Sequence, residues 1–340
     1  MNILGIESSC DETAAAVVAD GTRLLSSVVA SSVDLHRAHG GVVPEIAARS
    51  HLESILPVVE EALKKARVGW PEIDAIAVTQ GPGLIGSLLI GVLTARTLAI
   101  CKNKKLFAVN HVAAHPFGAY VDKKPPALPC LVMVVSGGHT FIALMKRHGQ
   151  YKLLGQTKDD AVGEAFDKVA KILGLPYPGG PAVSHLADVG DQKKYPLPGA
   201  NMTGSYDFSY SGLKTAVLRT AQAIVGKDYT LPSHELPGLL NKVQKADLAA
   251  SFRAAAIDSL TATLKSASQA YKPACIIVAG GVAAESELRR QLGRCRWGSP
   301  VLIPPLELCT DNAAMIASCA YFTRKPADPY RLAPEPSLVW

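Results

Sequence analysis

Residues 2–31 read NILGIESSCDETAAAVVADGTRLLSSVVAS, and residues 130–157 read CLVMVVSGGHTFIALMKRHGQYKLLGQT. The two stretches share one order of parts. An apolar strand (NILGIE; CLVMVV) ends in small and polar residues (SSCDET; SGGHT). A second apolar strand follows (AAAVVAD; FIALMKR), then a turn at Gly21 or at His148-Gly149-Gln150, then a third strand (RLLSSVVAS; YKLLGQT). Thr13 and Thr140 close the two polar turns in equivalent places. A three-stranded meander that occurs twice predicts two domains of like architecture.

Helical periodicity follows the meanders. Residues 44–66, PEIAARSHLESILPVVEEALKKA, put Ile46, Leu52, Ile55, Leu56, Val59 and Leu63 on one side of a helix that Pro57 can kink or split. IDAIAVTQGPG is a strand running into a glycine turn, and GSLLIGVLTARTLAICK after it reads as a mostly buried helix. ACIIVAGGVAAESELRRQL repeats the order strand, Gly-Gly turn, helix. Strands alternating with helices predict α/β domains with some parallel pairing. The expected division is an N-terminal domain over 1–107, completed by a C-terminal helix at about 311–325, and a second domain with helical insertions over 108–310. A proline-rich extended tail is expected over 326–340.

The composition narrows the class. With 48% hydrophobic and 19% charged residues the chain is a folded protein, and no apolar run reaches the length of a membrane span. The first ten residues lack a basic segment followed by an apolar one, so no secretory signal is expected. Seven scattered cysteines without a C-x-x-C fit a reducing cytoplasm. A net charge of +6, gathered in short clusters such as Lys102, Lys104 and Lys105 or Arg289, Arg290, Arg294 and Arg296, is compatible with a nucleic-acid partner.

Chemistry concentrates in two kinds of motif. Strand ends rich in glycine (SGGHT at 136–140, AGGV at 279–282) let backbone N–H groups approach an anion, as a nucleotide cleft between domains requires. The stretch AVNHVAAH, 108–115, sets His111 and His115 four apart, on one helical face if Pro116 leaves the helix intact. The metalloprotease pattern fails, because Val112 stands where a general-base Glu would be. The best third ligand is Asp311, just ahead of an Ala-rich helix, where an Asp can also serve as N-cap. Two imidazoles and one carboxylate leave open positions on iron or zinc.

Ten blocks in one order then resemble a single family: IESSCDET (6–13), HGGVVPEIAAR (39–49), GPGLIGSLLIG (81–91), HVAAH (111–115), VSGGHT (135–140), GEAFDK (163–168), YPGGP (177–181), FSYSGLKT (208–215), AGGV (279–282) and CTDNAAMIA (309–317). Over nearly its full length the chain is similar to the bacterial TsaD family of tRNA threonylcarbamoyladenosine synthesis proteins. The resemblance implies a duplicated actin-like (ASKHA, RNase H-like) α/β fold with an inter-domain nucleotide cleft. It implies transfer of the threonylcarbamoyl group from threonylcarbamoyl-AMP to N6 of adenosine 37 in tRNAs reading ANN codons. One Fe²⁺ or Zn²⁺ per subunit is expected on His111, His115 and Asp311, and an adenylate, threonylcarbamoyl-AMP or ATP, at Val134, Val135, Ser136, Gly137, Gly138, Asp167 and Gly180.

Asp11 or Glu12 is the candidate acceptor of the proton lost from the amine. The implied partners are tRNA, a smaller actin-like paralogue as heterodimer partner, a small P-loop ATPase and a separate synthase that supplies threonylcarbamoyl-AMP, with no membrane. Two positions depart from the pattern: Glu285 stands where the family's adenosine motif has Asn, and Ser184 where many members have Asp. The competing class is an actin-like ATPase or kinase that hydrolyses ATP in the cleft.

Overall fold

Strand β1 (Asn2–Glu7) is buried on both faces and lies at the centre of a six-stranded sheet, the first of two sheets in the computed structural model, which describes residues 1–339. It pairs antiparallel with β2 (Glu12–Ala19), and β2 pairs antiparallel with β3 (Arg23–Ser31). Asp20 and Gly21 both take positive φ at the β2–β3 turn, the conformation an Asp-Gly hairpin turn uses. After α1 (Val33–Arg37) and α2 (Pro44–Ala66) comes β4 (Ala75–Gly81), parallel to β1. Then α3 (Ile85–Cys101) leads to β5 (Lys105–Asn110), parallel to β4. The one-turn helix α4 (His111–Ala114) starts directly where β5 ends.

The chain then builds a second compact unit, 130–144 with 152–301. Its five-stranded sheet contains β6 (Cys130–Val135), β7 (Thr140–Arg147), β8 (Gln150–Gln156), β9 (Cys275–Ala279) and β10 (Val301–Leu302), in the order β10-β9-β6-β7-β8 with β6 and β9 parallel. Its helices are α5 (Val162–Leu173), α6 (Gly179–Ala187), α7 (Tyr210–Ile224), α8 (Leu236–Leu239), α9 (Lys242–Tyr271) and α10 (Ser286–Arg294).

The first unit is completed from 302 onward by α11 (Ala313–Thr323) and β11 (Pro326–Ala327), which pairs with β5. It also takes in 145–151, where His148 sits among Phe117, Tyr120 and Phe322. Both units repeat the strand meander read from the sequence. The first unit runs past residue 107, where the sequence reading drew its boundary, because the chain stays in that unit through β5, α4 and the turn after it, as far as Pro129.

The first sheet is covered on both faces. On one side Leu4, Ile6, Ala15, Val17, Ile76 and Val78 join Ile55, Val59 and Ala62 of α2 and Val92 and Ala95 of α3 in one core. On the other side α11 lies so close to β1 that a Cβ at Gly5 would run into the Ala313 carbonyl oxygen and come within 3.1 Å of Ala317 Cβ. Strands covered on both faces read as near-continuous apolar runs, which is why NILGI and AAAVV lack alternation.

Three local expectations change. The helix over 44–66 is continuous through Pro57, with Pro44 in its first turn, where a missing N–H costs nothing. Leu52 and Leu56 lie on its exposed side, while Ile55, Val58, Val59 and Ala62 carry the core contact. The proline-rich tail is packed: Arg96 donates to the carbonyls of Pro329 and Tyr330, and Leu332 is buried in the core of the first unit. Among the described residues no helix is long and apolar enough to cross a membrane.

The β1–α11 contact leaves no room for a side chain. Gly5→Ala is expected to destabilise the protein by about 1–3 kcal/mol, the usual cost of overpacking a filled core. Gly41→Ala, where an added Cβ meets nothing within 4 Å, is the control. Equal melting temperatures for the two variants would contradict the packing described.

Candidate functional site

Asn110 closes β5 and accepts the N–H of Ala113 at 3.0 Å, which caps α4 and starts a helical turn at His111. Pro116 ends the α-helix after one turn, and the chain tightens to a 3₁₀ segment from His115 to Tyr120. The turn nevertheless keeps both imidazoles together, with ring centroids 4.8 Å apart at 75°. Both histidines are buried. Asp311 arrives from the loop before α11: its Oδ1 lies 3.4 Å from His111 Nε2 and 4.0 Å from His115 Nε2. One donor atom from each of the three residues lies within 4.8 Å of the other two. Asn312, not Asp311, caps α11, accepting the Met315 N–H at 2.9 Å while its amide holds the carbonyls of Leu308 and Thr310. The Asp311 carboxylate is therefore not spent on the helix.

Sequence reasoning missed Glu7. This carboxylate, fully buried at the end of β1, lies 3.0 Å from His111 Nδ1. It accepts the Ser9 N–H at 2.5 Å and the Thr79 hydroxyl at 2.6 Å. The available signal was an acidic residue closing an otherwise apolar strand. A carboxylate on Nδ1 fixes that nitrogen as the protonated one and leaves Nε2 turned toward Asp311, the arrangement in which a second carboxylate orients a ligating histidine.

The electrostatics of the cluster ask for a cation. Burial alone would raise the Glu7 carboxyl, but the charge and hydrogen bond of His111, with Thr79 and the Ser9 backbone, outweigh it and lower it to about 2. Burial would lower His111, yet the charges of Asp311 and Glu7 raise it to about 9. Burial raises Asp311 to about 6; the His111 charge works against this, and Glu7 and Asp11 add to it. Without a metal, a proton on His111 supplies the positive charge that two buried carboxylates demand. Two imidazole nitrogens and one carboxylate oxygen in such a field fit Zn²⁺ or iron.

Asp11 and Glu12 follow at the turn into β2, both half-buried. Glu12 accepts the Ser31 hydroxyl at 3.0 Å. Burial, a hydrogen bond to Asp11 and the charges of Asp11 and Asp311 raise its carboxyl to about 9, so it carries a proton at neutral pH.

The other predicted residues form a separate group in the second unit. Val134 and Val135 end the buried strand β6. In the next turn Ser136 N donates to the His139 carbonyl at 2.8 Å, and the His139 N–H donates to Ser136 Oγ at 3.1 Å. Gly137 and Gly138 are left exposed, and an added Cβ on either would meet nothing within 4 Å. α5 begins against this turn: Val162 N donates to Thr140 Oγ1 at 2.8 Å, and a Cβ at Gly163 would lie 2.7 Å from the Ser136 carbonyl oxygen. Asp167, one turn along α5 from Gly163, accepts the Gly179 N–H at 2.7 Å and is hydrogen-bonded by Gly180; burial raises its carboxyl despite these bonds. The departure at 285 has a structural role, since Glu285 caps α10 by accepting the Leu288 N–H at 2.7 Å.

Residues 23–318 match the family described as TsaD: tRNA N6-adenosine threonylcarbamoyltransferase. A protein of that name from Dehalococcoides mccartyi is 51% identical over 322 residues, covering 95% of this chain and 93% of the relative. One from Symbiobacterium thermophilum is 52% identical over 322 residues, covering 94% and 91%. Among solved structures, component A of the (R)-2-hydroxyglutaryl-CoA dehydratase of Acidaminococcus fermentans superposes with a TM-score of 0.53 at 15% identity, covering 94% of this chain and 98% of that one. That likeness speaks for the fold alone, a duplicated α/β architecture of the actin-like class.

Protons and metal compete for this centre, which gives a pH signature. In the metal-free protein His111 lies above its ordinary 6.5, so its stabilisation is complete below 6.5 and is lost as pH rises through about 9. Glu7 lies below its ordinary 4.5, so its stabilisation is present above 4.5 and lost as pH falls through about 2. Asp311, raised to about 6, adds cost as it ionises. The melting temperature of metal-free protein is expected to fall from pH 6.5 to 9. Zn²⁺ or Fe²⁺ affinity should rise over the same interval as the metal displaces the His111 proton. Glu7→Gln is expected to weaken metal binding about 10- to 100-fold. A metal affinity that does not change with pH would contradict the competition.

Proposed function

The chain belongs to the family of tRNA N6-adenosine threonylcarbamoyltransferases, and on that premise we propose that it moves the threonylcarbamoyl group of threonylcarbamoyl-AMP to N6 of adenosine 37 in tRNAs reading ANN codons. The observation that carries the reading is the buried cluster of His111, His115 and Asp311 backed by Glu7. When bound there, one Fe²⁺ or Zn²⁺ supplies a Lewis acid for the carbamoyl carbonyl.

The protein's own groups do the rest. The exposed backbone of Gly137 and Gly138, in the β6–β7 turn against which α5 begins, offers N–H groups to the phosphate of the adenylate and steadies it as AMP leaves. Asp167 fixes the first residues of α6, so that Gly180 presents open backbone, with Val134 and Val135 behind the Ser136 turn. Attack by the adenine N6 on the carbonyl carbon forms the new C–N bond, breaks the bond to the AMP phosphate oxygen and releases one proton. The Asp11–Glu12 pair at the turn into β2 takes that proton. Two nitrogen donors suit Mg²⁺ poorly, since it takes oxygen ligands, so an ATPase or kinase working through this centre is the weaker reading.

Unmodified tRNA and threonylcarbamoyl-AMP, with a synthase to supply the latter and a small P-loop ATPase to sustain turnover, complete a cytoplasmic reaction. The smaller actin-like paralogue is assigned to the outer faces of α2 and α3. Leu52 and Leu56 on α2 and Ile85, Leu89 and Leu93 on α3 are exposed there, at helical spacing, beside each other in the fold.

In a reconstituted reaction read by mass spectrometry of digested tRNA, His111→Ala and Asp311→Ala are expected to lower product formation by at least about 100-fold, a loss on the scale of removing a group that stabilises developing charge. Full turnover by Asp11→Ala/Glu12→Ala would remove that pair from the mechanism. Leu56→Asp and Leu89→Asp are expected to weaken paralogue binding by about 10-fold or more while the melting temperature of the isolated chain holds. Unchanged affinity would move the interface elsewhere.

A further inference from the structure

Two buried histidines, His36 and His51, take no part in the centre described above; His51 reaches the turn that carries Asp11 and Glu12 directly, and His36 reaches it through Ser32. Glu12 and Thr13 already lie in β2, paired with Ser31 and Ala30, and the three carbonyls just before them are held as well. Ser9 O accepts the Leu84 N–H at 2.8 Å. Cys10 O lies 2.9 Å from His51 Nε2 and accepts the Ser87 hydroxyl at 3.1 Å. Asp11 O accepts from Ser32, by N–H at 3.1 Å and by hydroxyl at 2.7 Å, and Ser32 Oγ is in turn 3.1 Å from His36 Nε2.

The chemistry of the partners fixes the tautomers. A carbonyl oxygen can only accept, so His51 Nε2 carries the hydrogen that faces Cys10. In the neutral ring Nδ1 is then bare, and the Thr13 hydroxyl 2.8 Å away donates to it. Burial holds His51 below its ordinary value, in keeping with a neutral ring. His36 shows the same pattern, with Nδ1 accepting the Val43 N–H at 3.2 Å.

His51 differs from an ordinary satisfied core histidine in what it grips. One edge of its rigid ring holds residue 10 and the other holds residue 13, so a single side chain from α2 brackets Asp11 and Glu12 from both sides. The Asp311 charge acts on Glu12, so the bracketed pair stands within electrostatic reach of the candidate metal ligand. We propose that His51 is a positioning residue for the transfer reaction, clamping the Cys10–Thr13 turn so that the Asp11–Glu12 pair faces the reacting amine. This rests on the reading above that the pair receives the N6 proton.

The test uses the full chain with its partner proteins and three variants, His51→Leu, His51→Gln and Thr13→Val. His51→Leu should keep the wild-type metal content per chain and KM values for tRNA and threonylcarbamoyl-AMP within about threefold. Its kcat should fall about 10- to 100-fold, as misplacement of a reacting group does. His51→Gln, whose amide N–H can reach the Cys10 carbonyl, should recover most of the loss. Thr13→Val preserves shape and should lower kcat by a smaller factor, and it serves as the kinetic test should His51→Leu not fold. Nitrogen-15 imidazole spectra of the wild type should show His51 as the neutral Nε2–H tautomer.

Wild-type kcat in His51→Leu or, failing its folding, in Thr13→Val would overturn the proposal. So would an Nδ1–H tautomer, or loss of metal and activity together without rescue by Gln. A wild-type protein that forms no product would instead overturn the transferase reading, a result distinct from an active wild type indifferent to His51.

Discussion

Everything in the first unit that touches the centre is arranged around one buried charge, the Glu7 carboxylate. Burial opposes its ionisation, and three neighbours reverse the sign: His111 by charge and hydrogen bond, Thr79 by its hydroxyl and Ser9 by its N–H. Those neighbours come from different elements, so ionising Glu7 ties β1, β4 and the start of α4 to one point. Removing its partners would leave an unpaired buried charge, among the most destabilising changes a fold can suffer. Gly5, two residues earlier, lets α11 lie against β1, and the loop before α11 delivers Asp311. The carboxylate thus orients His111 while its own strand seats the helix behind the third donor.

Strand polarity explains why the chemistry gathers where it does. β1, β4 and β5 are parallel, and their C-terminal ends carry Glu7, Thr79 near the end of β4, and Asn110 leading into His111. In the second unit β6 and β9 are parallel and end at Val135 and Ala279, followed by Ser136–Gly138 and Gly280–Gly281. Ligand-handling groups in open α/β sheets lie beyond the carboxyl ends of the strands, because there the backbone leaves its ladder and N–H groups and side chains become free to turn. Gly280 shows the steric side of this. Its φ of +99° and its close approach to the Val135 carbonyl leave no space for a side chain where the two strand ends meet.

How much of this the sequence could tell depends on the range of the interaction involved. The two meanders were legible because hairpin order and strand apolarity are local. The pairing of His111 with His115 was legible because four-residue spacing survives a single helical turn, even with Pro116 following. The competition between Asp311 and Asn312 for the cap of α11 was not, because the two are adjacent and both cap well; only the Asn312–Met315 bond decides it. Glu7 was quoted within its motif and still missed, since its meaning lies in His111, which folding alone brings to it. Leu52 and Leu56 read as core because amphipathic period reports a stripe without saying which edge is covered. The tail read only as proline-rich and extended because nothing local announces that Arg96 will hold its carbonyls.

The charge arithmetic of the centre argues for a dication over a monocation or none. Against burial, the Glu7 carboxyl is lowered to about 2 by its partners, burial raises Asp311 to about 6, and burial with the Asp11 hydrogen bond raises Glu12 to about 9. A proton on His111 offsets only one of the two negative charges, and burial keeps Asp311 raised to about 6 against the His111 charge. A divalent ion held by His111, His115 and Asp311 would offset both charges, and His111 could then be neutral with Glu7 orienting its Nδ1 hydrogen. Such an ion would also offset the burial that raises the Asp311 carboxyl. The same balance separates the surroundings of the acids: Glu7 lies against His111 Nδ1, Asp311 faces both Nε2 atoms, and Glu12 lies apart against Ser31.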